Sequence, residues 1–124
     1  MKEEKIQVLA LLPMELPKEI DLDNTLEAMQ NFVGGLIECI TLSDTGSEVT
    51  LVCNDEGKLM NYPINRVLVD DDGKPWDILV GNLMAVRHND EGEFTSIREE
   101  DIPVIESLLI PLMPDRMIDY EEAK

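Results

Sequence analysis

The sequence has little of the chemistry that marks metal sites and redox centres. Its 124 residues include two cysteines and one histidine, and aromatic residues make up 4% of the chain. Cys39, Cys53 and His88 are far apart and do not show the close ligand spacing of a zinc site. Two cysteines in a chain of this type are better explained as reduced, apolar residues than as a disulfide. We therefore predict no metal site and no cofactor.

Long hydrophobic runs are also missing. The N-terminal apolar stretch covers residues 6–12, which is too short to span a bilayer, and no small-residue cleavage site of a signal peptide accompanies it. We therefore expect a cytoplasmic protein that does not enter a membrane.

Known catalytic and nucleotide-binding motifs are lacking. The sequence has no P-loop, no Gly-x-Gly-x-x-Gly fingerprint and no Gly-x-Ser-x-Gly elbow. The acidic turns at 70–73 and 89–92 do not have the alternating ligands and final glutamate of calcium loops. Carboxylates are plentiful, but no motif pairs a general acid with a general base. We predict no catalytic residue and a protein that is not an enzyme.

Basic residues are scarce relative to acidic ones. The chain has 27 acidic and 10 basic residues, a formal net charge of −17. Up to and including Arg66 there are 12 acidic and 5 basic residues (−7), and after it 15 and 5 (−10), so the acidity extends along the whole chain. Binding to nucleic-acid phosphates depends on Lys and Arg, and direct nucleic-acid binding is therefore disfavoured. A basic protein, such as a nucleic-acid-binding protein, is the partner that this charge favours.

The residues that are present predict an α+β fold with one mainly antiparallel β-sheet and two principal helices. We expect a single domain over residues 1–124. Residues 6–12 form a continuous apolar run ended by Pro13, which is typical of a buried, central strand. Residues 13–17 are predicted to be a connector.

The first helix is predicted over about residues 24–34. Asn24 is placed to cap it, with Glu27 three residues later, and Gly34 and Gly35 are placed to end it. Apolar residues recur at helical spacing at Leu22, Leu26, Met29 and Val33.

Two hairpins are predicted, one between 36–42 and 49–53 and the other between 78–86 and 93–97. Residues 64–68 fit either a short helix opened by the preceding proline or a strand.

The second helix is predicted over about residues 99–110. It begins near Ser96, which forms a capping box with Glu99, or near Asp101. Residues 111–124 are predicted to be an acidic tail that is frayed or used for contacts.

One segment concentrates polar groups beside turn residues. The candidate binding residues in this segment are Asn54, Glu56, Lys58, Asn65 and Arg66. A guanidinium and a carboxylate can form a bidentate pair with amide hydrogen bonds beside it. Such a group is either a structural clamp that holds a turn or a site at which Arg66 recognises an anion or a partner's carboxylate.

Several stretches resemble an uncharacterised family of short acidic proteins from phages, plasmids and bacteria with mobile elements. The resemblance spans about residues 25–97. It is carried by residues 26–30, by Val33-Gly34-Gly35 with residues 36–38, by Asn54 to Leu59, by Pro63 to Arg66, and by Asp77 to Asn82. It implies a small accessory protein of a phage or mobile element and implies no known activity.

The leading hypothesis is a non-enzymatic accessory protein that acts by binding another protein. One form of it is inhibition of a host protein by imitation of nucleic acid. A globule of this size is about 35 Å across, and duplex DNA of that length carries about 20 phosphate charges. The alternative is a protein that binds a small anionic ligand or nucleotide signal through the segment from Asn54 to Arg66.

Overall fold

The computed structural model describes residues 4–42, 48–70 and 72–111. The chain begins with strands β1 (Lys5–Leu11) and β2 (Lys18–Asp23), helix α1 (Leu26–Val33), and strands β3 (Ile37–Leu42) and β4 (Val49–Asn54). Strands β5 (Ile64–Val69), β6 (Pro75–Val80), β7 (Leu83–His88) and β8 (Phe94–Thr95) follow, and then helix α2 (Asp101–Leu108) and strand β9 (Leu109–Pro111). The predicted α+β class is confirmed, and both helices lie inside their predicted ranges.

The main sheet has the strand order β2-β1-β7-β4-β3, with the short β8 paired to β7. Its pairings are antiparallel. β1 lies between β2 and β7, so the predicted interior position of the first strand is confirmed. β4 is buried along its whole length, which its apolar run explains.

A second, smaller sheet adds to the predicted one. It has the order β6-β5-β9 and is also antiparallel. Its inward residues Leu68, Leu79 and Leu109 pack against one face of the main sheet together with Ile105 of α2.

Helix α1 covers the opposite face of the main sheet. Met29 and Val33 form the buried side of α1. They pack against strand residues Ile6, Val8, Val52, Met84 and Val86. Alternate residues of β1, β4 and β7 therefore serve two separate cores, one under α1 and one under the small sheet.

The N-terminus of α1 lies one residue later than predicted. Thr25 is the N-cap, and its hydroxyl oxygen accepts a hydrogen bond from the Ala28 N–H at 3.1 Å. The predicted cap, Asn24, is wrong. Its amide donates to the Phe94 carbonyl at 3.1 Å and so ties the start of α1 to β8.

The predicted glycine stop at the end of α1 is confirmed. Gly34 has φ +87°, a left-handed conformation that glycine adopts freely, and its N–H donates to the Gln30 carbonyl at 2.8 Å. A Cβ added to Gly34 would lie 2.8 Å from the Tyr62 hydroxyl oxygen, so the Tyr62 side chain would have to move.

The second helix begins at Asp101, and the predicted capping box of Ser96 and Glu99 is wrong. Its N-cap residue, Glu100, makes no side-chain cap bond. The Asp101 carboxylate accepts the Arg98 N–H at 2.9 Å, and the Ser96 hydroxyl oxygen accepts the Gln7 N–H of β1 at 3.0 Å.

Residues 18–23 form a strand that the sequence reasoning missed. Ile20 and Leu22 of β2 are half-buried against the core under α1, while the intervening residues are exposed. Leu22 therefore belongs to a strand, and its placement in the helical pattern of α1 is wrong. Its spacing to Leu26 fits a helix by coincidence.

The structure forms the first predicted hairpin and divides the second between two sheets. The hairpin of 36–42 with 49–53 is confirmed as β3 and β4, whose connecting residues 43–47 lie outside the described residues. The predicted strand 78–86 is two strands in different sheets, separated at Gly81, which has φ +74°. Its second half, β7, pairs with β8 as expected. The open choice at 64–68 is resolved as strand β5.

Cys39 and Cys53 are free thiols. Cys39 stands opposite Val52, and Cys53 stands opposite Glu38, so the two side chains point to opposite faces of the sheet. Neither described helix has the length and apolar character that crossing a membrane requires. Of the predicted acidic tail, Pro111 belongs to β9 and residues 112–124 lie outside the described residues.

Candidate functional site

The five candidate binding residues fall into two groups in the structure. Asn54, Asn65 and Arg66 are buried, whereas Glu56 and Lys58 are exposed on the turn after β4. The structure therefore does not bring all five into one site.

Asn54 joins the end of helix α1 to the turn after β4. Its amide nitrogen donates to the Val33 carbonyl at 3.0 Å, and its amide oxygen accepts the Glu56 N–H at 2.7 Å. Asn82 donates to the Phe32 carbonyl at 3.1 Å. Carbonyls at the end of a helix have no partner inside the helix, and these side chains satisfy them.

Asn65 joins the two sheets. Its amide nitrogen donates to the Leu11 carbonyl at 2.7 Å and to the Gly81 carbonyl at 2.6 Å. Its amide oxygen accepts a hydrogen bond from the neighbouring Arg66 guanidinium. Every one of these bonds is internal, so Asn65 acts in the structure as a connector between β1, β5 and the break before β7.

Arg66 is fully buried and its hydrogen bonds go to neutral acceptors. The guanidinium donates to the Leu12 carbonyl at 3.3 Å and to the Glu15 carbonyl at 3.0 Å. Glu56 is the carboxylate among the five candidate residues, and it forms no ion pair with Arg66 among the described residues. Burial lowers the pKa of Arg66, and the charge of Glu106 opposes that effect. This geometry is that of a structural clamp, with carbonyl groups in the place of the expected carboxylate.

Asn54, Glu56 and Lys58 line a groove of about 210 Å³ between the turn after β4 and strand β6. The Lys58 ammonium pairs with Asp77 at 2.7 Å. The other charged residues that line the groove are Glu38, Asp55 and Glu56, all acidic. The groove is therefore unsuited to a small anion.

Cys53 lies in the same groove. Burial, followed by the charge of Glu38, raises the pKa of its thiol to about 11. The thiol remains protonated at neutral pH, and the thiolate is the reactive form of cysteine. Its weak hydrogen bond runs to the Glu38 carbonyl at 3.6 Å.

Arg87 forms a second polar cluster that sequence reasoning missed. It donates to both carboxylate oxygens of Asp101, at 2.6 and 2.7 Å, and also pairs with Glu48. Burial alone would raise the pKa of Asp101, but hydrogen bonds from Arg87 and the Arg98 N–H lower it below its ordinary value. Arg87 lies on β7 and Asp101 lies on α2, so their ion pair holds α2 against the main sheet.

The small sheet presents an apolar surface to solvent. Val67 of β5 stands directly between Ile78 of β6 and Ile110 of β9. Ile64 is paired with Val80, and the exposed Trp76 lies two positions before Ile78 on β6, opposite the register shift between Leu68 and Val69. We call these residues the outer apolar face: Ile64, Val67, Trp76, Ile78, Val80 and Ile110.

The outer apolar face exposes large hydrophobic side chains to solvent. Trp76 is 59% exposed and Ile78 is 47% exposed. Contiguous exposed apolar surface on a soluble domain is typical of a contact with another molecule, and tryptophan is the residue most enriched at the centre of such contacts. The sequence signal was the alternation of Trp76, Ile78 and Val80 after Pro75, which suits an edge strand with an apolar outer side.

Within the described residues, no group of three or more His, Cys, Asp or Glu side chains is placed to hold a metal ion. The fold is a small α+β fold with two antiparallel sheets. Its buried polar side chains Asn54, Asn65 and Arg66 bond to other parts of the protein. The chain belongs to the family named Domain of unknown function (DUF3846), whose sequence profile matches residues 6–109. No curated protein and no solved structure matches the chain significantly.

Proposed function

We propose that this chain is a non-enzymatic binding protein that holds a basic protein partner against its outer apolar face. The observation that carries the proposal is the exposure of Trp76 and Ile78 on the small sheet. Apolar side chains around a central aromatic residue provide affinity, and charge around them provides orientation and speed of association.

The distribution of charge supports a basic partner. Arg66 is buried and Arg87 is bound to Asp101 and Glu48, so neither guanidinium is presented to a partner. Around the outer apolar face, Asp70 and Asp72 lie in the exposed loop that joins β5 to β6. A second copy of the chain would bring another net charge of −17 and be repelled, whereas a basic protein would be attracted.

The narrower form of the proposal is an accessory protein of a phage or mobile element that works in the cytoplasm. In this form the acidic surface imitates nucleic acid and occupies a host protein's nucleic-acid site. The net charge of −17 is of the same order as the roughly 20 phosphates of duplex DNA of similar length.

The alternative of a small anionic ligand at the segment from Asn54 to Arg66 has less support. Asn65 and Arg66 are buried and bonded to the protein itself, and the adjoining groove is acidic. An anion would meet carboxylates there instead of a free guanidinium.

Site-specific cross-linking tests the proposal. The photoreactive residue p-benzoylphenylalanine is introduced at position 76 and, as a matched control, at position 26. Leu26 is 58% exposed and belongs to α1, on the other side of the main sheet. We expect a basic protein from a bacterial lysate to cross-link through position 76 and not through position 26, and less at high salt.

That protein is then identified, purified and titrated against the chain by calorimetry. Trp76→Ser should weaken binding at least tenfold, whereas Leu26→Ser should leave the affinity unchanged. Equal cross-linking at both positions, or wild-type affinity of Trp76→Ser, would show that the outer apolar face is not the interface. Competition with duplex DNA tests the narrower form, which is wrong if DNA does not displace the chain from its partner.

A further inference from the structure

The turn between β1 and β2 presents two apolar side chains to solvent. Met14 is 47% exposed and Leu16 is 71% exposed. Glu15 stands between them and is itself exposed, with its side chain 3.8 Å from the Lys18 ammonium. This turn belongs to a different element from the outer apolar face.

The turn is held from inside the protein by β5. The Arg66 guanidinium donates to the carbonyls of Leu12 and Glu15, the two ends of the turn. These are the same two residues whose main chains bond each other, the Glu15 N–H donating to the Leu12 carbonyl at 3.2 Å. Asn65 donates to the Leu11 carbonyl just before the turn. Two buried side chains therefore hold three carbonyls in the turn and just before it.

This arrangement has two unfavourable features. Met14 has φ +65°, a left-handed backbone conformation that a long side chain rarely adopts. Arg66 carries its charge into a fully buried position and bonds there to carbonyl groups, not to a carboxylate. Strained backbone that the surrounding structure enforces is concentrated at functional sites, and rigidity before binding improves affinity.

We propose that the turn of residues 12–16 is a preformed contact element whose Met14 and Leu16 side chains insert into an apolar pocket of a protein partner. The proposal rests on the proposed binding function and adds a second point of attachment to it. Glu15, between the two apolar residues, matches a pocket with Lys or Arg at its rim. Arg66 is the positioning residue of the element and does not touch the partner.

The acidic surface favours a protein partner over a lipid surface. Cytoplasmic membrane leaflets are anionic and attract basic segments, so they repel a chain with a net charge of −17. A protein pocket supplies apolar contact and positive charge together. Vesicle binding through Leu16 would therefore contradict the proposal.

Cross-linking through position 16 tests the element directly. Full-length chains carry p-benzoylphenylalanine at position 16, at position 76 or at the control position 26. We expect position 16 to cross-link to the same protein as position 76, with little product from position 26. Absence of a specific product at position 16 would overturn the element, whether or not position 76 gives one.

Affinity measurements with the purified cross-linked protein separate the two proposals. Leu16→Ser and Met14→Gly change surface side chains, and glycine accepts the left-handed backbone at position 14. Each should weaken binding at least tenfold without lowering the unfolding midpoint, whereas Leu26→Ser should bind as wild type. If Trp76→Ser loses affinity while both turn variants keep it, the binding function stands and the contact element is wrong.

Arg66→Lys checks the role of positioning. Lysine keeps the charge but lacks the planar fork that reaches two carbonyls. We expect faster hydrogen exchange at the Glu15 N–H together with weaker binding. Normal exchange and normal affinity would contradict the positioning role. Co-sedimentation with vesicles of phosphatidylcholine and phosphatidylglycerol should give no binding, and vesicle binding that Leu16→Ser abolishes would replace the protein pocket with a lipid surface.

Discussion

Asn65 and Arg66 are neighbours on β5, yet both side chains are completely buried and hydrogen-bond to each other. Neighbours on a regular strand point to opposite faces. The pairing of β5 with β6 shifts register between Ile64 and Arg66, and such a bulge turns an extra residue out of the alternation. The irregularity thus allows two adjacent polar side chains to link both sheets and the turn after β1.

Arg66→Ala should destabilise the fold by about 2 kcal/mol or more. The substitution removes the donor to the Glu15 carbonyl and to the amide oxygen of Asn65, and one of the two donors to the Leu12 carbonyl. Urea unfolding measures the change. Arg98→Ala is the matched control, because the Arg98 side chain is 63% exposed, and it should change stability by no more than about 0.5 kcal/mol. Similar unfolding midpoints for both variants would contradict the clamp.

Asn65→Ala and Arg66→Ala should not be additive. Each removes one member of a bonded pair, so the double variant should be less destabilised than the sum of the single effects, by about 0.5 kcal/mol or more. A double-mutant cycle from urea unfolding gives the coupling. Strict additivity would mean that the two side chains act independently.

Gly34→Ala should cost more than Gly73→Ala. Both glycines have similar positive φ, +87° and +79°, but an added Cβ meets the Tyr62 hydroxyl at position 34 and nothing within 4 Å at position 73. We expect about 1 kcal/mol at Gly73 from backbone strain alone and a larger loss at Gly34. Adding Tyr62→Phe should recover part of the extra loss in thermal unfolding. No recovery would show that the clash does not matter.

Asp101→Asn should destabilise the protein by about 2 kcal/mol at pH 7, because Arg87 loses a nearly buried ionised partner and keeps Glu48. The folded-state pKa of Asp101 lies below its unfolded value of about 3.9. The contribution of its charge is therefore present above about pH 4 and is lost as pH falls through the lower folded-state pKa. In urea unfolding from pH 7 to pH 3, the difference in unfolding free energy between wild type and Asp101→Asn should become smaller at the acid end.

Glu100→Gln provides the comparison for that pH series. Its contact with Arg98 is 3.5 Å long and exposed on both sides, so the variant should follow wild type throughout. A constant difference between wild type and Asp101→Asn across the series would show that ionisation of Asp101 is not the cause.

Iodoacetamide should alkylate Cys39 before Cys53 in the folded protein at pH 8. Cys39 is exposed, whereas Cys53 is buried with a pKa raised to about 11. Mass spectrometry of digests follows each site, and urea should make the two rates similar. Fast native labelling of Cys53 would indicate that the groove between the turn after β4 and strand β6 opens readily.

The elements with a strong local signal could be predicted from the sequence. β1 has a continuous apolar run, the hairpin of β3 and β4 has turn residues between two apolar segments, and Gly34 ends α1. β2 was missed because Leu22 stands four residues before Leu26, and the helical period applies equally to that pair. Its real partner, β1, is not visible in local periodicity.

The candidate site was only partly accessible from the sequence. The sequence identified three of these residues, Asn54, Asn65 and Arg66, as candidate binding residues. It could not show whether their side chains face solvent or the carbonyl of a distant strand. Two acceptors of Arg66, the carbonyls of Leu12 and Glu15, lie more than fifty positions away in the chain. The outer apolar face could not be predicted, because it depends on which side of the small sheet is covered by the rest of the protein. That coverage is set by the tertiary arrangement and has no local sequence signal.

The place of β9 in the small sheet has a consequence for the order of assembly. β5 needs β9 for one of its two sides, and β9 follows every other strand of both sheets along the chain. During synthesis the main sheet can form its five long strands while β5 still has an open edge toward solvent. We therefore expect the core under the small sheet to close last, with Leu68 and Leu79 exposed until β9 pairs with β5.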